Sequence, residues 1–149
     1  MMYKTILVPL DGSRRAEAIL PHVEQITHPK DGQLIFLMVV DQPFLPERDE
    51  VADLSRYQEA FEKRKQDALT YLEKIKNKYT AKGFAVDVRV GAGPVVSHIL
   101  KTGDEMNADV IAMSSHGYGG SERLFYGSTA AGILQRVDRP LLIIRTRKI

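Results

Sequence analysis

The sequence contains no cysteine. That excludes a disulfide framework, a thiolate metal site and a cysteine nucleophile, and it is compatible with a reducing compartment. An excess of charge of one sign is also missing: 21 Lys and Arg stand against 19 Asp and Glu, for a formal net charge of +2. On that balance, nucleic-acid binding through a general basic field is not expected. Arg145, Arg147 and Lys148 read as a solvated chain end. No apolar run approaches the roughly 20 residues needed to span a bilayer. The opening MMYKTILVPLDGS carries no long apolar stretch with a small-residue cleavage site. The expectation is a cytoplasmic protein that contacts neither membrane nor nucleic acid.

Several motifs are absent as well. There is no GxxxxGK[ST] phosphate loop. Gly91-Ala92-Gly93 is followed by Pro94, so the dinucleotide pattern lacks its third glycine. His22, His28 and His98 show no ligand spacing, which argues against a zinc site. No internal repeat is found.

What remains is an ordinary globular composition, 44% hydrophobic and 27% charged over 149 residues, which suits one domain. Short apolar runs alternate with helical patterns. Thr5–Leu10, Leu34–Val40, Val110–Met113 and Leu141–Ile144 are nearly all apolar, as strands buried on both faces are. Phe84–Val90 alternates instead, as an edge strand with one wet face does. Ala16, Ile19, Leu20, Val23 and Ile26 recur at helical spacing after Ser13, a candidate N-cap. The longest helix is expected over roughly Arg48–Tyr79, with Leu54, Tyr57, Phe61, Ala68, Tyr71, Leu72, Ile75 and Tyr79 as its inner stripe. Gly83 is placed to end it. A third helix follows Gly93-Pro94, and a fourth runs from Ser128 to about Val137, where Pro140 bars continuation.

The order β-α-β-α-β-α-β-α-β predicts an α/β fold, an open doubly wound five-stranded parallel sheet. Such sheets bind ligands outside the C-terminal strand ends, where the strand order reverses. That rule points at Pro9–Ser13, Val39–Gln42 and Ser114–Thr129. Gln42–Glu47, with two prolines, reads as a loop near that site.

The third segment carries the chemistry. Ser114-Ser115-His116-Gly117 follows a strand, and Gly127-Ser128-Thr129 opens the next helix. Phosphate oxygens need N–H and O–H donors in a concave array. Glycine lets the backbone approach closely, a helix N-terminus adds unpaired N–H groups, and Ser and Thr hydroxyls add adaptable donors. The plain alternative is that these glycines are turn residues and Ser128 an ordinary cap.

These residues resemble the universal stress protein family, of the ATP-binding kind. The resemblance rests on ILVPLDGS at the start, VVD at the end of the second strand, Val90-Gly91 with Pro94, and ADVIAMSSHGYGGSERLFYGSTAAGILQRVDRPLLIIR. The family's signature is Gly, two residues, Gly, nine residues, Gly, then Ser or Thr. Gly117, the nine residues Tyr118–Tyr126, Gly127 and Ser128 match it, whereas Ser114 replaces the first glycine.

The resemblance implies a Rossmann-like sheet of the adenine nucleotide alpha hydrolase kind, with strand order 3-2-1-4-5. It implies that Pro9, Val39 and Met113 flank an adenine and that Asp11 meets a ribose hydroxyl. Ser114 and Gly117 would face the phosphates, and Gly127, Ser128 and Thr129 the terminal ones. The ligand would be ATP, AMP or cyclic AMP, with Mg²⁺ or Mn²⁺ held mainly by phosphate oxygens and water. A homodimer through the last strand, Leu141–Ile144, is implied too. No residue is assigned as catalytic.

Each role has a plainer rival. Asp11 before Gly12-Ser13 also suits an Asx turn, and Pro9, Val39 and Met113 are ordinary core types. His116 lacks an orienting carboxylate nearby in sequence and reads as structural, or as lying behind the phosphate contacts. Arg123 reads as solvated loop. Three functions follow: a nucleotide-holding regulatory protein, a slow ATPase or phosphotransferase, and an interaction module with a vestigial loop. The first is the expectation, because the donors come without an evident base or water-positioning group.

Overall fold

The computed structural model describes residues 3–40, 51–116 and 127–146, the side chains of 51–53 excepted. Five strands form one sheet: β1 (Thr5–Pro9), β2 (Gln33–Val40), β3 (Ala85–Ala92), β4 (Val110–Ser114) and β5 (Leu141–Ile144). All pairings are parallel, in the order β3-β2-β1-β4-β5. The helices between them are α1 (Arg14–Glu17), α2 (Leu20–Ile26), α3 (Val51–Ala81), α4 (Val95–Glu105) and α5 (Ser128–Arg136). The expected architecture and strand order are therefore observed.

Side-chain alternation along the strands explains why the runs are apolar throughout. Ile6, Val8, Leu34, Phe36, Val110 and Ala112 face α1, α2 and α3, where Ile19, Val23, Leu72 and Tyr79 meet them. Leu7, Ile35, Leu37, Ile111 and Met113 face the other way, onto Ile99 of α4 and Ala130 and Ile133 of α5. A strand covered on both faces has no wet position, so no polar alternation survives. β3 lies at an edge and keeps exposed positions, as its alternating sequence predicts.

The first helical region departs from expectation. One helix was expected after Ser13; the structure has two, with a break at Ala18–Ile19. Pro21 is the cause. It has no N–H to give the Glu17 carbonyl, and its ring would crowd that oxygen in a continuous helix. Ser13 does cap α1, its hydroxyl accepting from the Ala16 amide at 3.1 Å. At the other end of α3, Gly83 takes φ +97° and the Phe84 amide reaches back to the Tyr79 carbonyl at 3.2 Å. A residue with a Cβ rarely adopts that φ, so the glycine ends the helix as expected.

α3 has 31 residues, about 46 Å of helix. That outruns β2, whose 8 residues span about 26 Å. Only the later part packs on the sheet: Ala68, Leu72, Ile75 and Tyr79 are buried, while Tyr57 and Phe61 are half-buried and Leu54 is exposed. The expected start at Arg48 lies outside the described residues. Between α4 and β4, Arg139 donates to the carbonyls of Gly103 (3.0 Å) and Ala108 (2.7 Å) and pairs with Asp104. The Gly103 carbonyl also accepts from the Ala108 amide at 3.0 Å, so Arg139 ties the end of α4 to the segment that leads into β4.

Tyr79 anchors α3. It is 1% exposed, meets Phe36 edge-on at 5.6 Å between ring centroids, and donates to Glu24 at 3.2 Å. Burial, and then the Glu24 carboxylate, push its phenol above the usual tyrosine range. A raised value means the folded state favours the neutral phenol. The stability this contributes is whole below about pH 10 and is lost as pH rises past it. The thermal midpoint of the parent should therefore fall more steeply from about pH 9 to 11 than that of Tyr79→Phe. Parallel declines would contradict this.

Candidate functional site

The strand order reverses between β1 and β4, and of the expected site residues Pro9, Asp11, Met113 and Ser114 lie at or just beyond the ends of these two strands. β1 closes on Pro9, and the Leu10 amide still bonds the Leu37 carbonyl at 2.8 Å. Asp11 then turns the chain: its Oδ1 accepts from the Ser13 amide at 2.9 Å and the Ser13 hydroxyl at 2.6 Å. Gly12 between them has φ +89°. The Asx turn is thus formed, and it leaves the half-buried Asp11 side chain at the mouth of the sheet. A carboxylate has two accepting oxygens, so the turn and a ligand contact are compatible.

β4 delivers the second group. The Ser114 hydroxyl donates to the Ala16 carbonyl at 3.2 Å, so its single proton is committed to α1. The Ser115 amide bonds Ile144 of β5 at 2.8 Å, and the Ser115 carbonyl accepts from the Gly127 amide at 2.7 Å. This last bond joins the end of β4 to the start of α5. A Cβ on Gly127 would sit 2.8 Å from the Ser115 oxygen, a backbone atom with little freedom to yield. Glycine is required there by close approach, since its φ of −65° is open to any residue.

The N-cap of α5 is Gly127, which has no side chain with which to cap the first turn. Ser128 is exposed there and Thr129 half-buried, so N–H and hydroxyl donors collect beside the positive end of the helix dipole. His116 is buried, with Nδ1 2.9 Å from the Ser115 hydroxyl. Gly117, Arg123 and residues 42–47 lie outside the described residues. The structure nonetheless brings the two donor clusters together, through Ser115, His116 and Gly127.

A cavity of about 430 Å³ opens beside Asp11. Gly12, Met38, Val39 and Val40 line one wall. Arg64, Asp67, Ala68 and Tyr71 of α3 line the other. Its size suits a small organic ligand. Of the three apolar residues expected around an adenine, Val39 lines this cavity. Pro9 is half-buried at the end of β1, and Met113, 5% exposed, packs into the α4–α5 core layer.

The contribution of α3 was not anticipated. Positions 64, 67, 68 and 71 share one helical face, and two of them are charged where that face otherwise turns inward. That interruption was the available signal. Among the described residues, no group of three or more His, Asp or Glu is placed to hold a metal. No described helix is long and apolar enough to cross a membrane.

The model of the universal stress protein family matches residues 2–145. The chain belongs to the universal stress protein family. Universal stress protein MJ0577 of Methanocaldococcus jannaschii is 30% identical over 158 aligned positions, which cover 99% of this chain and 98% of that one. Its solved structure has a TM-score of 0.86 to this chain at 28% identity, with both chains covered in full. Two further structures share the fold at lower identity. One is a universal stress protein in complex with cAMP, with TM-score 0.67 and 20% identity over 99% of this chain and 100% of the other. The other is an Arabidopsis thaliana universal stress protein with AMP bound, with TM-score 0.65 and 15% identity over 97% and 92%.

In this universal stress protein, the contact between Gly127 and Ser115 should be sensitive to a single methyl group. Gly127→Ala is expected to cost about 1–3 kcal/mol in urea unfolding, the usual range for overpacking against fixed neighbours. A variant as stable as the parent would contradict the close approach.

Proposed function

We propose that this universal stress protein binds an adenine nucleotide, foremost ATP, and holds it as a regulatory signal rather than turning it over quickly. The observation that carries the reading is the joint between β4 and α5. There the start of α5, whose N-cap Gly127 offers no capping side chain, is pinned to the end of β4; β1, which pairs with β4, leads to Asp11 and a cavity of about 430 Å³. Anions are favoured at such a terminus, and hydroxyl pairs of a ribose suit a carboxylate acceptor. Structural relatives in complex with cAMP or AMP support an adenosine ligand.

In this reading Asp11 accepts from the ribose, while Pro9, Val39 and Met113 lie about the adenine. Gly127, Ser128 and Thr129 hold the terminal phosphates. Ser114 and Gly117 face the phosphate chain from the other side, Ser114 by means other than its committed hydroxyl proton. The donors around the helix terminus are N–H and O–H groups, which suit phosphate oxygens rather than a cation. A Mg²⁺ or Mn²⁺ would therefore be held by phosphate oxygens and water. The place of action in this proposal is the cytoplasm.

The same proposal includes a homodimer through β5. Among the described residues Leu141–Ile144 pairs with β4 alone, and all four side chains are half-buried. An apolar strand at a sheet edge is a liability unless something pairs with it, and a two-fold copy of itself is the commonest solution.

Calorimetric titration with ATP and Mg²⁺ should give saturable heat, and a folded Gly127→Val variant should give none. Silence of the parent at millimolar ATP would refute the binding role and favour a vestigial loop. A single-turnover assay should produce ADP no faster than buffer does; marked acceleration would make the protein an enzyme instead. Light scattering should return twice the chain mass, and a monomer at working concentration would refute the β5 pairing.

A further inference from the structure

The Asp11 carboxylate is held by more than its own turn. Its Oδ1 accepts from the Ser13 hydroxyl at 2.6 Å, and that hydroxyl accepts from the Ala16 amide at 3.1 Å. The Ala16 carbonyl accepts in turn from the Ser114 hydroxyl at 3.2 Å. An unbroken run of hydrogen bonds therefore joins the carboxylate after β1 to Ser114, the last residue of β4. Ser13, Ala16 and Ser114 are all buried, so the run is shielded from water beyond Asp11.

The protons give the run a direction. A serine hydroxyl carries one proton and two lone pairs. Ser13 gives its proton to Asp11 and takes the Ala16 N–H on a lone pair. Ser114 gives its proton to the Ala16 carbonyl. Both main-chain groups of Ala16 are thereby used, and buried bonds linked in this way strengthen one another.

A turn does not need this length. The Asx turn is complete with Asp11, Gly12 and Ser13. What Ser114 adds is a tie from that turn, through α1, to the neighbouring strand, whose next residue Ser115 holds the Gly127 amide. Glycine, which the family signature carries at this position, has no hydroxyl to make the tie. Two donors on Oδ1 fix the rotation of the carboxylate, and the tie fixes the segment that supplies both of them.

We propose that Ser114 is a positioning residue: through Ala16 and Ser13 it sets the direction in which Asp11 meets the ligand, and so governs recognition of the ribose hydroxyls without touching them. The inference rests on the nucleotide reading above and gives the hydroxyl of Ser114 a task apart from the phosphates.

Calorimetry with ATP and with 2′,3′-dideoxy-ATP, which keeps base and phosphates but lacks both ribose hydroxyls, tests it. Ser114→Ala should bind ATP about 3- to 10-fold more weakly than the parent, the usual effect of one hydrogen bond. Its affinity for the dideoxy ligand should stay within about twofold of the parent's, since that ligand offers Asp11 no hydroxyl. In an Asp11→Asn background the same substitution should add less than about twofold, because members of one network do not contribute independently. A merely structural serine, or one whose hydroxyl served the phosphates, would weaken both ligands alike. In the parent, the ¹⁵N-labelled amides of Ser13 and Ala16 should shift further with ATP than with the dideoxy ligand. That measurement stands even if the variants do not fold.

A folded Ser114→Ala with parental ATP affinity, or with equal losses for the two ligands, would overturn this inference alone. So would a parent that binds both ligands equally well, or whose Ser13 and Ala16 amides respond to both alike. A parent that binds neither would overturn the nucleotide reading and this inference with it.

Discussion

The 2.7 Å hydrogen bond from the Gly127 amide to the Ser115 carbonyl fixes where the first turn of α5 stands relative to the sheet. The Ser115 amide is at the same time bonded to Ile144, so the peptide groups on both sides of Ser115 are tied down. A helix terminus held in this way is a positioned set of donors rather than a fluctuating one. Such preorganisation lowers the ordering cost of binding an anion. The glycine is what makes the contact possible, because any side-chain carbon there would meet a main-chain oxygen at 2.8 Å.

The sheet makes that contact reproducible. β1 and β4 lie side by side in the centre, with Ile6 opposite Val110 and Leu7 opposite Ile111. Their ends therefore open at one place, and the chain leaves β1 through the Asp11 turn and β4 through Ser115 and His116. Both faces are sealed by apolar layers, so the strand ends are where backbone and small polar side chains can reach a ligand. α3 adds a wall beyond the sheet because it outruns β2, which brings Arg64, Asp67 and Tyr71 to the cavity beside Asp11.

Much of this was legible in the sequence. Runs such as Leu34–Val40 carry the two-sided burial of their strands, and FAVDVRV carries the wet face of an edge. Ser13 and Gly83 act as the caps they were expected to be. Other features required three dimensions. The apolar spacing from Ala16 to Ile26 runs straight across the break between α1 and α2, because burial continues while Pro21 interrupts the backbone. Met113 suits a ligand wall and a core layer alike, and its packing against the α4–α5 layer shows only in three dimensions. The proton of Ser114 went to Ala16, a partner 98 residues away that no local pattern reveals. The role of α3 depended on how far the helix projects past the sheet, which its length alone does not disclose.

The account is tested most directly by following the backbone amides of ¹⁵N-labelled protein during addition of ATP with Mg²⁺. It predicts that the amides of Ser128, Thr129 and Ala130 move downfield as a phosphate accepts their protons, while those at the opposite end of the sheet, such as Thr5 and Gln33, stay in place. Saturation by ATP with the start of α5 unmoved would contradict it.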